Sequence, residues 1–197
     1  GACTFHETAL ETDPEAAFLL PHFLAVTGHL KTVNETERLK ARDLMKSRAK
    51  RGFQDGATDR AVVAFESALF VAVNKNAEDP AYSKYFAKRG STPITSAPIG
   101  EEIKLLGTIV DQLTLAVAAT EKAKPAKLTK AQEVEKAHLA PLKAAHTGLA
   151  ATHAAVGTAI QLHANAFAAE REARSAVARQ LEIDEAELMK LFGKGRR

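Results

Sequence analysis

The chain of 197 residues has a single cysteine, no tryptophan and only 6% aromatic residues. The lone Cys3 excludes an internal disulfide and any cysteine-rich zinc site. No apolar run is long enough to span a bilayer, so the sequence predicts no transmembrane segment. The chain also lacks the P-loop, GxGxxG, CxxCH and HExxH motifs, which mark phosphate binding, dinucleotide binding, haem attachment and zinc proteases. We therefore expect a protein that is not an enzyme, and we assign no catalytic residue.

Much of the 46% hydrophobic content is alanine. Alanine favours helices and lets them pack closely, but each alanine buries little apolar area. A core of this kind is thin per residue, so an oligomer would supply the missing burial. Alanine-rich amphipathic helices without tryptophan resemble, in composition alone, those of the polyester-granule phasins. That likeness implies a granule or lipid-surface coat as one further hypothesis.

Apolar residues recur at helical spacing, and no segment shows the alternation of a strand. The pattern predicts helices over about 13–50, 59–76, 98–121 and 129–180, with a turn bracketed by Gly52 and Gly56. A short last helix is expected from Asp184. The predicted fold is all-α, an antiparallel up-down-up-down helical bundle with two long and two shorter helices plus a short C-terminal helix.

This reading divides the chain into three parts. Residues 1–12 form a flexible N-terminus, residues 13–180 a single helical-bundle domain, and residues 181–197 a short C-terminal helix with a basic tail. Within the bundle, residues 77–98 form an irregular connection, since prolines and Gly90 exclude a continuous helix there. Tyr82, Tyr85 and Phe86 in this connection predict a short helical turn packed on the bundle, with a partner-binding patch as the alternative.

Two local patterns are more specific than the overall periodicity. The third helix carries Ile99, Ile103, Leu106, Val110, Leu113 and Val117 at 4-3-4-3-4 spacing. That spacing is typical of a bundle or coiled-coil seam. Thr129 and Gln132 have the spacing of a capping box, which predicts the start of the fourth helix.

Six of the seven histidines fall in the two long helical stretches and share faces with apolar residues. Buried histidine rings need partners, so a metal or a haem is one way to satisfy them. If the first and fourth helices are antiparallel, facing residues have numbers with a constant sum, and a sum of 175 pairs His22 with His153 and His29 with His146. Two such layers could ligate b-type haem or form part of a transition-metal site.

The same register places His138 opposite Glu37. Together with His163, these residues are the weaker candidates for a metal site. His138 also follows Glu135 in a Glu-x-x-His arrangement, but a di-iron centre needs a second such motif. The sequence contains no second copy, so a di-iron site is not favoured.

Basic residues concentrate at the end of the first predicted helix and at the start of the fourth. They are Lys40, Arg42, Lys46, Arg48, Lys122, Lys124 and Lys127. In the predicted topology both groups lie at one end of the bundle, where they could contact an anionic surface or the acidic end of a neighbouring copy. The formal net charge is only +3, and no recognition motif accompanies the lysines, so nucleic acid is not favoured.

The leading hypothesis from sequence is a non-enzymatic helical bundle that acts through contacts with itself or another protein. The alternative is a haem- or metal-binding bundle that uses the stacked histidine pairs. No signal peptide is visible, which favours the cytoplasm, although the absence of an initial methionine leaves open export after removal of a leader.

Overall fold

A computed structural model describes residues 8, 11–12, 20–86 and 89–180, apart from the side chains of residues 22, 23, 26 and 178–180. Within these residues every regular element is a helix, which confirms the all-α class. The predicted flexible N-terminus lies largely outside the described residues. The predicted C-terminal helix from Asp184 and the basic tail lie wholly outside them.

Five helices follow one another along the chain. They are α1 (Leu20–Ala72), α2 (Pro80–Ser83), α3 (Thr92–Thr95), α4 (Ile99–Ala123) and α5 (Lys130–Gln180). The helices α1 and α5 contain 53 and 51 residues, whereas α2 and α3 are single turns of 4 residues.

The chain divides into two compact units. Unit 1 comprises Gly1–Met45 with Thr158–Arg197, and unit 2 comprises Lys46–Gly157. The helix α1 crosses the boundary between Met45 and Lys46, and α5 crosses the boundary between Gly157 and Thr158. Each of these helices therefore contributes residues to both units.

The turn predicted at Gly52 and Gly56 is wrong, because α1 continues through both glycines as one helix. Each glycine costs about 1 kcal/mol relative to alanine in a helix interior, a penalty that tertiary packing can offset. The packed face is continuous here: Leu44, Thr58 and Phe65 are all buried at spacings of multiples of seven. This continuity is not evident from the sequence, because the two positions between Leu44 and Phe65 on this face are the polar residues Arg51 and Thr58.

The direction of the helices in unit 2 follows from their contacts. The helices α4 and α5 are antiparallel, because residue numbers rise along α4 as those of the contacting residues fall along α5. Gly107 lies against His146, and Glu121 pairs with Lys136 at 3.9 Å. The same holds for α1 and α5, where Thr58 meets Ala145 and Phe65 meets His138. Because both helices run antiparallel to α5, α1 and α4 run parallel to each other.

Parallel neighbours cannot be joined by a tight turn. The chain between Val73 and Pro98 must therefore return along the bundle before α4 begins, and we call this segment the crossover. The predicted up-down-up-down order is thus wrong for unit 2, because the second predicted helix is the end of α1 and the crossover takes the place of a descending helix.

The core of unit 2 joins α1, the crossover, α4 and α5. Its fully buried side chains include Phe65, Leu69, Phe86, Leu106, Leu113 and Leu142. In the crossover, Tyr82 and Tyr85 are 4% and 7% exposed. The prediction of a helical turn packed on the bundle is therefore confirmed, and the alternative of an exposed partner-binding patch is wrong.

The capping box is confirmed, and the predicted apolar face of α4 is confirmed in part. Leu106, Val110, Leu113 and Val117 are buried in α4, whereas Ile99 and Ile103 are partly exposed. At the start of α5, the Thr129 N–H donates to Gln132 Oε1 at 2.9 Å, and the Gln132 N–H donates to Thr129 Oγ1 at 3.2 Å. These reciprocal bonds satisfy donors that the first helical turn leaves unpaired.

We predict opposite effects of Gly→Ala substitution at two positions. An added Cβ at Gly52 would meet nothing within 4 Å, so Gly52→Ala should raise the free energy of unfolding by about 0.5–1 kcal/mol. Gly90 has φ +61°, and a Cβ added there would collide with the carboxylate of Glu66. Gly90→Ala should therefore lower the free energy of unfolding by more than about 1 kcal/mol. Urea unfolding of both variants measures these changes, and a stabilising Gly90→Ala would contradict the described backbone.

Candidate functional site

A polar layer interrupts the seam of unit 2 one turn before the apolar core begins. It is formed by Arg51, Gln54, Asp55, Thr58 and Asp59 of α1 with Glu102 of α4. Asp55 precedes the buried Val62 by seven residues, and Glu102 precedes the buried Ile109 by seven. A seven-residue step returns to the same helix face. Within this layer, Asp55 and Asp59 act on Glu102 across the α1–α4 contact, whereas Gln54 and Thr58 lie against Gly148 and Ala145 of α5.

Glu102 is the most deeply buried acid of this layer, with 2% of its surface exposed. Burial raises the pKa of its carboxyl to about 8, and a hydrogen bond with Asp55 together with the charges of Asp55 and Asp59 adds to the effect. No donor among the described residues reaches Oε1 of Glu102. At neutral pH this carboxyl is therefore held in its protonated form.

The rest of the polar layer is only partly satisfied. Burial, then the charge of Asp55, raises the pKa of Asp59, while Arg60 acts in the opposite direction. Within the described residues, Oδ1 of Asp59 and Nε of Arg51 are buried without a hydrogen-bond partner. By contrast, the Thr58 hydroxyl donates to the Gln54 carbonyl at 2.9 Å and approaches the Ala145 carbonyl at 3.5 Å.

Glu66 fixes the crossover to α1. Its carboxylate accepts hydrogen bonds from Tyr82 Oη at 2.8 Å and from Ser91 Oγ at 2.5 Å. Burial alone would raise the pKa of Glu66, but these hydrogen bonds outweigh it and lower the pKa. Burial and the bond to Glu66 raise the pKa of Tyr82 to about 12. The site therefore holds a carboxylate and a neutral phenol over the whole physiological range.

Glu135 fixes the crossover to α5 in the same way. It is 7% exposed and accepts a hydrogen bond from Tyr85 Oη at 2.7 Å. Lys84 Nζ lies 3.9 Å from the same carboxylate and 4.9 Å from the centre of the Tyr85 ring. Burial, followed by the bond to Glu135, raises the pKa of Tyr85. These contacts cross-link elements, and the sequence reading missed them because Glu66 and Glu135 look like ordinary surface residues of a helix.

A cavity of about 240 Å³ lies between the crossover and α4. Its lining residues include Lys84, Tyr85, Ile94, Leu105, Ile109 and Gln112. Ligand pockets usually measure about 300–1,000 Å³, so this space is small for a cofactor.

The histidines of the predicted haem site occupy different environments. His29 and His153 are exposed, His146 is half-buried, and the side chain of His22 lies outside the described residues. The ring of His146 lies against Gly107, where an added Cβ would be 3.2 Å from Nε2. Its position is explained by close packing of α4 on α5.

The register on which the histidine pairs depend differs from the observed one. In unit 2, residues that face each other across α1 and α5 have numbers adding up to 202 or 203, as for Gln54 with Gly148 and Phe65 with His138. The predicted sum was 175, a difference of about 27 residues or about 40 Å along the helix. His146 and His153 therefore lie level with residues near 56 and 50 of α1, because α1 continues past Lys50 to Ala72. The haem and metal assignment itself stays a prediction.

The weaker candidates for a metal site, His138, Glu37 and His163, have other partners than the predicted ones. In unit 1, His163 Nε2 donates to Glu37 Oε1 across 3.2 Å, and the His163 ring lies 6.5 Å from that of Phe167. In unit 2, His138 packs against Phe65 with ring centres 5.6 Å apart, and burial lowers its pKa. Glu37 thus contacts His163, whereas the predicted partner was His138. Among the residues that the structure describes, no three His, Cys, Asp or Glu side chains converge to hold a metal ion.

The basic residues do not form one tip. Lys46 and Arg48 lie where α1 enters unit 2, whereas Lys122, Lys124 and Lys127 lie beside the α4–α5 connection, level with the end of α1. These two groups are about 40 Å apart along α1. Lys40 and Arg42 belong to unit 1. The predicted single basic end is wrong for the same reason as the histidine register.

One helix within the described ranges, α4, is long and apolar enough to cross a membrane by length and composition alone. By length and composition, α4 therefore departs from the sequence prediction that no apolar run is long enough to span a bilayer. Leu106, Leu113 and Val117 of α4 lie in the core or seam of unit 2, which accounts for its apolar character. We therefore identify no clear transmembrane segment.

Comparison with known proteins adds no assignment. No family model, no curated protein and no solved structure matches this chain. The polar layer and the crossover therefore have to be interpreted from their own geometry.

We predict that Tyr85→Phe lowers the free energy of unfolding by about 1–3 kcal/mol, because it leaves the buried Glu135 carboxylate without its hydroxyl donor. Tyr82→Phe is the matched control and should cost less, since Ser91 still donates to Glu66. Urea unfolding at pH 7 measures both. Equal losses in the two variants would contradict the structural role assigned to the Tyr85–Glu135 bond.

Proposed function

We propose that this chain is a non-enzymatic helical scaffold that acts through protein contacts, as an oligomer of itself. The observation that carries the proposal is the number of large apolar side chains left exposed on its long helices. They are Leu24, Leu39, Met45, Phe53, Val63, Val71, Leu115, Ile160, Leu162 and Phe167. Scattered single exposures are ordinary on protein surfaces, but grouped ones favour an interface. The bundle order that supports this role is α1 and α4 parallel, with α5 antiparallel to both.

In unit 2 the exposed apolar residues of α1 include an aligned set. Phe53 and Val71 are 77% and 65% exposed and stand eighteen residues apart, which is five full turns at 100° per residue. The exposed Ala64 lies within about 20° of the same line. This outer stripe of α1 is opposite the face that carries Phe65 and Leu69, so it is free to meet another helix.

Unit 1 exposes more large apolar side chains than it buries within the described residues. Leu30, Leu44 and Val177 are buried, while six others are exposed. A groove of about 430 Å³ runs beside α1 here and includes Leu39, Ala41 and Met45 among its lining residues. A unit with so thin a core gains stability from association, because apolar area removed from water contributes about 25 cal/mol per Å².

We expect the purified chain to be an oligomer that dissociates on dilution, and the double variant Phe53→Asp/Val71→Asp to weaken it at least tenfold. A carboxylate placed in an apolar contact loses more than the about 1.4 kcal/mol that a tenfold change requires. Analytical ultracentrifugation over a concentration series measures this. Leu115→Asp, at an equally exposed position on α4, is the control and should leave association unchanged.

Two outcomes would contradict this proposal. A monomer mass that does not change with concentration would overturn self-association. An equal loss in the Leu115→Asp control would remove the outer stripe of α1 as the interface.

The haem and metal alternative stays a prediction with reduced support, since the histidine register has changed. We expect a hemin titration of the chain to give no sharp low-spin Soret and α-bands. Saturation near two haems per chain, lost in His29→Ala, would restore that alternative and overturn the scaffold proposal as a complete account.

A further inference from the structure

The buried carboxylates of unit 2 are not satisfied in the same way. Glu135 accepts a hydrogen bond from the Tyr85 hydroxyl, and the partly buried Glu66 accepts hydrogen bonds from the hydroxyls of Tyr82 and Ser91. Glu102 is more buried than either, and its side chain is bonded to another carboxyl, that of Asp55. Two carboxyl groups can form a hydrogen bond only if one of them carries a proton, because ionised carboxylates are acceptors alone.

The remaining charges around Glu102 do not remove this requirement. From α1 it faces Asp55 and Asp59, both acidic, and the influence of Arg60 falls on Asp59. From α5, the titratable side chains with a described contact to α4 are His146, which lies against Gly107, and Lys136, which pairs with Glu121; neither contacts Glu102. On α4 itself, Glu101 and Lys104 are exposed and pair with each other at 3.7 Å. Arg51 belongs to the same layer, but the groups that act on the Glu102 carboxyl are Asp55 and Asp59, both acidic.

We propose that Asp55 and Glu102 share one proton across the α1–α4 contact, and that loss of this proton opens the first turns of α4. We call this pair the proton latch. The latch is a regulatory device built into the bundle, and it is independent of the scaffold function proposed above.

A proton fits this site better than a metal ion. A buried divalent cation needs several ligands at once, and hard cations take six or more oxygens. The described residues contain no group of three ligands placed to hold a metal. A single shared proton needs only the two carboxyl groups that are already in contact.

The position of the latch limits how far opening can spread. Glu102 stands in the first turn of α4, where its backbone N–H donates to the Pro98 carbonyl at 2.9 Å. The apolar core begins one turn later at Leu106, which is fully buried. Ionisation of the pair places two negative charges in a buried contact, so the polar layer separates first while the apolar core remains closed.

The sign of the pH effect follows from the raised pKa of Glu102. Its ordinary value is 4.5 and burial raises it to about 8, so the folded chain holds a proton that the unfolded chain releases. The stabilisation is complete below pH 4.5 and is lost progressively as pH rises toward 8. Over that window the unfolding equilibrium constant increases by up to about tenfold per pH unit from this group alone.

The first test is a direct titration of the wild-type chain by carbon NMR of the glutamate side-chain carboxyls. We expect Glu102 to titrate well above the other glutamates, near pH 8. The assigned resonance disappears in Glu102→Gln. Titration of Glu102 near its ordinary value would overturn the latch without the need for any variant to fold.

The second test compares the pH dependence of urea unfolding in the wild type, Glu102→Gln and Glu101→Gln. The neutral amide of Glu102→Gln can donate to Asp55 at every pH, so this variant should lose the descending slope between pH 5 and 8. Glu101→Gln changes the neighbouring exposed carboxylate and should keep the wild-type slope. Glu66 and His138 are common to all three chains and do not contact Glu102, so their contributions cancel. Equal slopes in wild type and Glu102→Gln would overturn the proposal.

Amide hydrogen exchange tests the local opening. We expect protection factors for residues 102–106 to fall between pH 6 and 9 in the wild type and in Glu101→Gln, but not in Glu102→Gln. Residues 109–117, within the apolar part of α4, should keep their protection. A uniform change along α4, or none, would contradict opening confined to its first turns.

Discussion

The packing of Phe65 is the interaction on which the rest of unit 2 depends. Its side chain is fully buried, and its ring centre lies 5.3 Å from that of Tyr85, 5.6 Å from that of Phe86 and 5.6 Å from that of His138. One residue of α1 thus holds both the crossover and α5. Aromatic pairs at these distances contribute beyond the area they bury, and in a chain with few aromatic residues they are concentrated where three elements meet.

Around this apolar centre, hydroxyl-to-carboxylate bonds give the crossover its direction. Tyr82 and Ser91 reach Glu66 on α1, while Tyr85 reaches Glu135 on α5. Apolar contacts are not directional and allow small shifts of a segment at little free-energy cost. A buried carboxylate that loses its hydrogen-bond donor destabilises the fold much more. The hydroxyl bonds therefore specify one placement of a segment that has little regular structure of its own. The polar layer at Glu102 differs because, of its three acidic members, Asp55 and Glu102 face each other without a hydroxyl between them.

The sequence was sufficient where one pattern was purely local. The Thr129–Gln132 capping box depends on residues within one turn, and the buried part of the α4 seam, Leu106 to Val117, repeats within a single helix, so both could be predicted. The length of α1 could not, because glycine at positions 52 and 56 suggests a turn and the seam between Leu44 and Phe65 passes through Arg51 and Thr58. Only the packing of Thr58 against Ala145 and of Gln54 against Gly148 shows that this part of α1 faces α5. The histidine register failed for the same reason, since it assumed that α1 ended near Lys50. Glu102 carried a usable signal, its seven-residue spacing to Ile109, but a glutamate at such a position is usually exposed.

The order of the two units along the chain has a consequence for how the protein folds. Unit 2 is one continuous stretch, Lys46–Gly157, whereas unit 1 is made from the two stretches on either side of it. In the register of unit 2, its first and last residues face each other across α1 and α5. Once this inner stretch has folded, the outer stretches leave it side by side, so the entropy of closing a loop of about 110 residues has already been lost. Unit 1 then forms without having to bring distant parts of the chain together, which lowers the entropic cost that its thin core has to offset.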